Sequence, residues 1–270
     1  MRRSDLNRRR DEIIALLCEA DALSAADLAR HLGVSVQTIR TDLRDLDEAA
    51  LVHRRNGVAR LRQQSENIGY APRISVARAE KHQIAIATRD LVPDGARVAL
   101  GTGTTVEACA RMLAASRTGL FVATNNIHAV VALQGAPEVE VALAGGAVRL
   151  RDLDMIGAAS AAFFANYRVD LAIFSCGGLS REGEILDYNA DEVVARLALG
   201  DCARCRILVM DQAKLGRDLP FRKDRIWDYD AVVTGAELPP ELQSRCQDAG
   251  CEVIKVNAGP EGVAAREPLS

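Results

Sequence analysis

Lysine is scarce in this chain: 270 residues hold four, at 81, 214, 223 and 255, against 30 arginines. Aromatic residues are 4% of the total, with one Trp. No apolar run reaches the ~18 residues of a membrane span. The start, Met1-Arg2-Arg3-Ser4-Asp5, is charged, so no secretory leader is expected. An excess of one charge is also missing. With 34 basic and 37 acidic residues the formal charge is −3, which excludes a uniformly basic nucleic-acid coat. A hydrophobic content of 49% excludes a disordered chain. At roughly 100–200 residues per domain, the length fits one large domain or two modest ones.

The seven cysteines, at 18, 109, 176, 202, 205, 246 and 251, are odd in number and scattered. That excludes a disulfide framework. Cys202-Ala-Arg-Cys205 with Cys246 and Cys251 offers four thiols, but zinc needs all four to converge tetrahedrally. Cys202 at a helix end and Cys205 at a strand start read better as small hydrophobes. No metal and no cofactor are expected, and a reducing cytoplasm fits the free thiols.

Net charge hides its distribution. Residues 1–62 carry 12 arginines, no lysine and ten acidic residues; the remainder carries 22 basic and 27 acidic residues. A mildly basic arm on an acidic body is one reading, and the arginine positions must decide it. Asp5 to Ala20 predicts a helix, with Leu6, Ile13, Ile14, Leu16 and Leu17 apolar and Arg8, Arg9 and Arg10 facing out. Ser24 reads as the N-cap of a helix over Ala25–Leu32, with Gly33 at its C-terminus. Ser35 is a second N-cap, for a helix over Val36–Leu46. Two short helices joined through Gly33-Val34 have helix-turn-helix spacing. In the second helix Val36, Ile39, Leu43 and Leu46 form an apolar stripe. Gln37, Thr38, Arg40, Thr41 and Arg44 are left outside, as donors and acceptors suited to base edges and phosphates. Arg55-Asn56-Gly57 then marks a two-residue hairpin turn, since Asn-Gly supplies positive φ twice. The hairpin over 51–61 is a wing, with Arg54 and Arg55 placed to enter a minor groove of double-stranded DNA.

Beyond residue 62 the pattern changes. A helix is expected over Arg73–Asp90, followed by alternating strands and helices: strand 97–100, helix 105–115, strand 120–123, helix 126–133, strand 139–144, helix 156–165, strand 169–175, helix 190–202, and strands 207–210 and 231–233. Such alternation predicts a mostly parallel sheet covered by helices, with ligands bound beyond the strand C-termini. Small and polar residues collect at those ends. They are Gly101-Thr102-Gly103-Thr104-Thr105, Thr124-Asn125-Asn126, Gly145-Gly146 with Arg149 and Asp152, Gly177-Gly178, and Asp211 to Gly216 with Lys214. Glycines let backbone N–H groups approach an anion and hydroxyls add donors. Neither a Walker loop nor a dinucleotide fingerprint is present. Lys214 offers a compact point charge. Asp187, Asn189 and Glu192 are candidate acceptors for sugar hydroxyls.

Over nearly its whole length the chain resembles the DeoR family of bacterial transcriptional regulators. The resemblance rests on the run Asp27–Leu46 and on Gly103-Thr104-Thr105, Thr124-Asn125-Asn126, Gly145-Gly146 and Asp211 with Lys214. It implies a winged helix-turn-helix over 1–62, a linker over 63–72, a sensor domain over 73–257 and a tail over 258–270. It also implies an α/β sensor fold similar to ribose-5-phosphate isomerase and the CoA-transferases. The function implied is repression of a carbohydrate or polyol catabolic operon. Its partners would be operator DNA and a phosphorylated effector such as glycerol-3-phosphate or a sugar phosphate. Paired half-sites lead us to expect a homo-oligomer, dimer or tetramer, away from any membrane. The alternative is a sugar-phosphate isomerase or transferase with an accessory N-terminal domain. Asp187, Glu192 or Asp211 would then supply a base, yet no acid/base motif surrounds them, and fold likeness alone carries no activity. The expectation is therefore a regulator and not an enzyme.

Overall fold

The structure, a computed structural model, describes residues 9–257 apart from 11, 14–15, 18–19, 21, 49–51, 56 and 62–69. Contacts divide the chain into two units, Met1–Ala77 and Arg78–Ser270.

In the first unit, much of the expected Asp5–Ala20 helix and the turn residue Asn56 lie outside the described residues. The described positions 9, 10, 12, 13, 16 and 17 are helical, and Ile13 and Leu17 are buried. Helix α1 (Ala25–Leu32) starts at Ser24 in a reciprocal cap. Ser24 Oγ accepts the Asp27 N–H at 3.1 Å and donates to Asp27 Oδ2 at 2.7 Å. Such a cap stabilises a helix by about 1 kcal/mol. The helix stops at Gly33, whose φ of +64° is the left-handed value glycine tolerates. Helix α2 (Val36–Glu48) follows, with Ser35 Oγ accepting the Thr38 N–H at 3.1 Å. Ile39, Leu43 and Leu46 are buried against Ile13, Leu17, Leu28, Val52 and Ala59. Val36 departs from the expected stripe: at the helix's exposed start it is 37% accessible. The wing pairs β2 (Val52–Arg55) with β3 (Val58–Leu61), Arg55 opposite Val58. A strand the sequence reading did not anticipate, β1 (Leu23–Ser24), pairs with β3 and extends the wing to three strands.

The expected linker and first sensor helix need correction. Tyr70–Ser75 is already helical (α3), and α4 spans Arg78–Asp90. Between them Ala77 has φ +53°. A residue there cannot continue a right-handed helix, so the single predicted element becomes two. Ile74, on α3, is 43% exposed.

The second unit is built on seven parallel strands: β4 (Arg97–Leu100), β5 (Phe121–Thr124), β6 (Glu140–Leu143), β7 (Val169–Phe174), β10 (Ala203–Met210), β12 (Ala231–Thr234) and β13 (Glu252–Lys255). Their order across the sheet is β13-β12-β10-β7-β4-β5-β6. Alternate residues serve opposite faces. Val98, Leu100, Val122, Leu171, Ile173, Ile207 and Val209 pack with α4, α5 (Thr104–Ser116) and α6 (Ile127–Leu133). Ala99, Ala123, Ala172, Phe174, Leu208 and Met210 pack with α7 (Ala158–Phe164), α8 (Ala190–Asp201) and α9 (Pro240–Asp248). Burial on both faces explains why these strands read as continuous apolar runs. Each buried Val, Leu or Ile contributes about 1.5–3 kcal/mol. α9 and β13 lie beyond residue 233, the end of the last expected strand, and have no counterpart among the expected elements. Equally unexpected is a small antiparallel sheet of β8 (Gly178–Leu179), β9 (Glu184–Asp187) and β11 (Phe221–Arg225). No helix among the described residues is long and apolar enough to cross a membrane.

The chain winds outward from β4 to β6 and then returns to β7 on the other side of β4. The sheet therefore reverses direction between β4 and β7, where open parallel sheets place their ligand crevice.

Candidate functional site

On the first unit, Gln37, Arg40, Thr41 and Arg44 are exposed along the outer face of α2. Thr38 is half-buried and its hydroxyl is shared with Ser35 Oγ at 2.8 Å; Thr41 Oγ1 donates to Gln37 O at 3.2 Å. Arg54 and Arg55 are exposed on β2. The arginines expected to face out on the first helix behave differently. Arg9 Nε donates to Asp42 Oδ2 at 2.6 Å, and Arg10 Nε to Asp42 Oδ1 at 3.3 Å; Arg10 also pairs with Asp45. Asp42 is 1% exposed, so both its oxygens are taken by cations from another helix. The pairs lock the inner side of α2 and leave its outer side for a partner. Sequence reading missed Asp42, although an acidic residue beside Ile39 and Leu43 on an apolar face was a signal that a cation would meet it.

On the second unit the glycine and threonine loops meet around the sheet reversal. Gly101 follows β4, and a Cβ there would lie 3.0 Å from Phe174 Cβ on β7. Thr102 and Gly103 are half-buried, while Thr104 and Thr105 are buried in the first turn of α5. No side chain caps that helix. Its N-cap is Gly103, which has no side chain to offer the first turn, an arrangement suited to anions. After β5, Thr124 Oγ1 donates to Leu100 O at 2.7 Å and Asn126 Nδ2 to Gly101 O at 3.2 Å. Asn126 Oδ1 caps α6, accepting from His128 N at 3.0 Å. Asn125 Nδ2 donates to Met155 O at 2.7 Å, while its Oδ1 is buried without a hydrogen-bond partner among the described residues.

The loop after β6 splits. Gly145 and Gly146 are exposed. Arg149 turns inward, donating to both Asp154 oxygens at 2.7 Å and to Glu192 Oε1 at 2.8 Å. Asp152 is buried beside it, 4.0 Å from Arg149 Nη2. Asp154, which the sequence reading passed over, is the main partner; burial raises its carboxyl, against the pull of Arg149. The three suggested sugar acceptors are already engaged. Glu192 Oε2 accepts from Tyr188 N at 3.1 Å, and Asn189 caps α8 through Glu192 N at 2.9 Å. Asp187 accepts from Gly177 N at 2.8 Å and from Arg196 Nε at 3.0 Å. Gly177 has no room for a side chain, since a Cβ would lie 2.7 Å from Leu219 Cδ1. Gly178 begins β8 and is buried. Burial, reinforced by Asp187, pushes the Cys176 thiol up to about 12, which makes it inert as a nucleophile.

Lys214 ends the loop after β10 and is 8% exposed. Its charge reaches Cys176, and Gly216 N donates to Leu179 O at 2.8 Å, tying this loop to β8. Hydrogen bonds thus join the loops after β4, β5 and β6 with the start of α8, and a second set joins the loops after β7 and β10. A cleft of about 410 Å³ lies elsewhere, between α9 and β13, lined by Leu238, Gln243, Gln247, Cys251 and Lys255 among others. None of the residues singled out as site residues lines it. The described residues hold no metal-ligating cluster.

A winged helix-turn-helix with an exposed Arg, Gln and Thr face, carried on one chain with a parallel α/β domain, defines a DNA-binding regulator with a separate sensor domain. Residues 9–65 match the DeoR-like helix-turn-helix domain, and residues 76–236 match the DeoR C terminal sensor domain. The chain belongs to the DeoR family of transcriptional regulators. It is 33% identical over 240 residues to the glycerol-3-phosphate regulon repressor of Escherichia coli K12, covering 89% of this chain and 95% of that one. The repressor of the same name from Haemophilus influenzae is 33% identical over 249 residues, covering 92% and 96%. The transcriptional repressor CsqR of Escherichia coli K12 is 32% identical over 249 residues, covering 92% and 95%. These relatives bear out the reading as a repressor rather than an isomerase. They also bear out the likeness to the glycerol-3-phosphate repressor, which in the sequence is carried by Glu107-Ala108, Asn125-Asn126, Leu143-Ala144-Gly145-Gly146 with Arg149 and Arg151-Asp152, and Asp187 with Glu192-Val193. The ribose 5-phosphate isomerase of Plasmodium falciparum superposes with a TM-score of 0.36 at 14% identity, over 50% of this chain and 52% of that one. That likeness is too distant to carry an inference.

Proposed function

We propose that this repressor controls a polyol or sugar catabolic operon and is released from its operator by a phosphorylated effector, glycerol-3-phosphate or a sugar phosphate. Ser35, Gln37, Thr38, Arg40, Thr41 and Arg44 meet the major groove, and Arg54 and Arg55 the flanking minor groove. The effector's phosphate lies at the uncapped start of α5 beside Lys214, and Asn125 Oδ1 accepts a hydroxyl. The protein acts in the cytoplasm as a homo-oligomer that reads two half-sites. The observation that carries this reading is α2 itself: its inner face is locked by Asp42 and the apolar core, and its outer face is exposed and polar.

Fluorescence anisotropy with a duplex selected in vitro for binding tests it. Arg40→Ala and Arg44→Ala are each expected to weaken binding by about 1–3 kcal/mol with unchanged thermal melting. Glycerol-3-phosphate is expected to lower duplex affinity of the wild type, and Lys214→Ala to abolish that response. A Lys214→Ala protein that responds normally would move the phosphate site elsewhere.

A further inference from the structure

A second group of buried charges stands beside the Lys214 loop. Glu80 and Lys81 lie in the first turn of α4 and are each 5% exposed. Glu80 Oε1 accepts two backbone N–H groups, from Gln212 at 2.6 Å and from Gly235 at 3.1 Å. These amides belong to the loops after β10 and β12, which are neighbours in the sheet. Gly235 makes the contact possible, since a Cβ there would lie 2.2 Å from Glu80 Oε1. Lys81 Nζ lies 3.8 Å from Asp211 Oδ2, and Asp211 is 3% exposed. The second Asp211 oxygen is buried with no hydrogen-bond partner among the described residues. Burial already raises the Glu80 carboxyl, so the two amides and Lys81 are what favour its charge. Just upstream the chain turns at Ala77, with φ +53°, and the boundary between the two units falls between Ala77 and Arg78.

We infer that Glu80 and Lys81 are the positioning residues that couple the effector loop Asp211–Lys214 to α4, and through the Ala77 turn to the chain leading into the DNA-binding unit. The inference rests on the effector reading of Lys214. An anion held by Lys214 shifts the loop whose Gln212 amide is bonded to Glu80. The amide stays on Glu80 only if α4 follows. Half-broken arrangements leave a buried charge unpaired, which favours two discrete positions over a continuum. An effector that binds one of these better than the other shifts the balance between them.

The test uses the full chain, an in-vitro-selected duplex, and glycerol-3-phosphate and ribose-5-phosphate as probes. Glu80→Ala and Lys81→Met are expected to keep duplex affinity and calorimetric probe affinity, while the probe's effect on duplex affinity falls by about tenfold. Glu80→Gln keeps an acceptor oxygen for both amides and is expected to restore most of the response. If Glu80→Ala melts early, Lys81→Met decides. A full probe response in both variants overturns the coupling role and leaves the effector site standing. Loss of probe binding itself in Lys81→Met or Glu80→Gln means direct binding and also overturns it. A wild type whose duplex affinity neither probe changes overturns the effector reading, and this inference with it.

Discussion

Asp187 shows how burial and pairing compete at one residue. Its two oxygens meet the Gly177 amide and the Arg196 guanidinium, yet burial outweighs both and pushes the carboxyl up to about 6. An unfolded aspartate titrates near 3.9. The folded state therefore holds the proton more tightly. The group's contribution to stability is full below about pH 4 and is lost as pH rises through about 6. Thermal melts of the wild type and Asp187→Asn, compared between pH 4 and 7, are expected to show the wild type losing stability relative to the variant across that window. Parallel curves would mean that Asp187 does not titrate there.

At the scale of elements, the DNA contacts proposed for the wing and for α2 are separable by experiment. Arg54 and Arg55 are exposed on β2. Replacing both by Ala is expected to reduce the slope of log affinity against log salt by about 2, at about 0.9 per phosphate contact, with unchanged melting. An unchanged slope would take the wing out of the interface. These elements were legible because local chemistry dictates them: Ser24 and Ser35 cap, Gly33 stops a helix, and Gly57 sits in the hairpin turn with φ +79°. Six of the seven parallel strands, all but β13, were legible through their apolar runs. What local pattern missed is long-range. Asp42 has no role in the sequence pattern, and only the return of Arg9 and Arg10 from 32–33 residues away shows why it is buried. Arg149 was read as a ligand contact, but Asp154 and Glu192 claim it. The break at Ala77 left no mark on hydrophobic periodicity, since φ is not written in polarity. The β8-β9-β11 sheet escaped for a different reason: its strands are only 2, 4 and 5 residues long.

At the scale of the molecule, the apolar clusters respect the division into two units. One cluster joins α1, α2 and the wing, and two others cover the faces of the parallel sheet. Two separate cores favour two separately folding units. A fragment starting at Arg78 is expected to melt cooperatively and to gain stability with glycerol-3-phosphate, whereas a fragment ending at Ala77 is expected to be indifferent to it. Scanning calorimetry decides: a sensor fragment with no transition would make the chain one cooperative body.

The close fit of Glu80 over Gly235 also restricts how such a protein can change through descent. Any side chain at 235 collides with the glutamate, and a shortened residue at 80 leaves two amides unanswered. The two positions, 155 residues apart in the chain, are free to drift only as a pair, and the glutamate must go first. A lineage that loses it keeps its sheet but is free to connect ligand to operator by another route. Under the coupling role inferred for Glu80, this one contact separates the inheritance of the fold from the inheritance of the response.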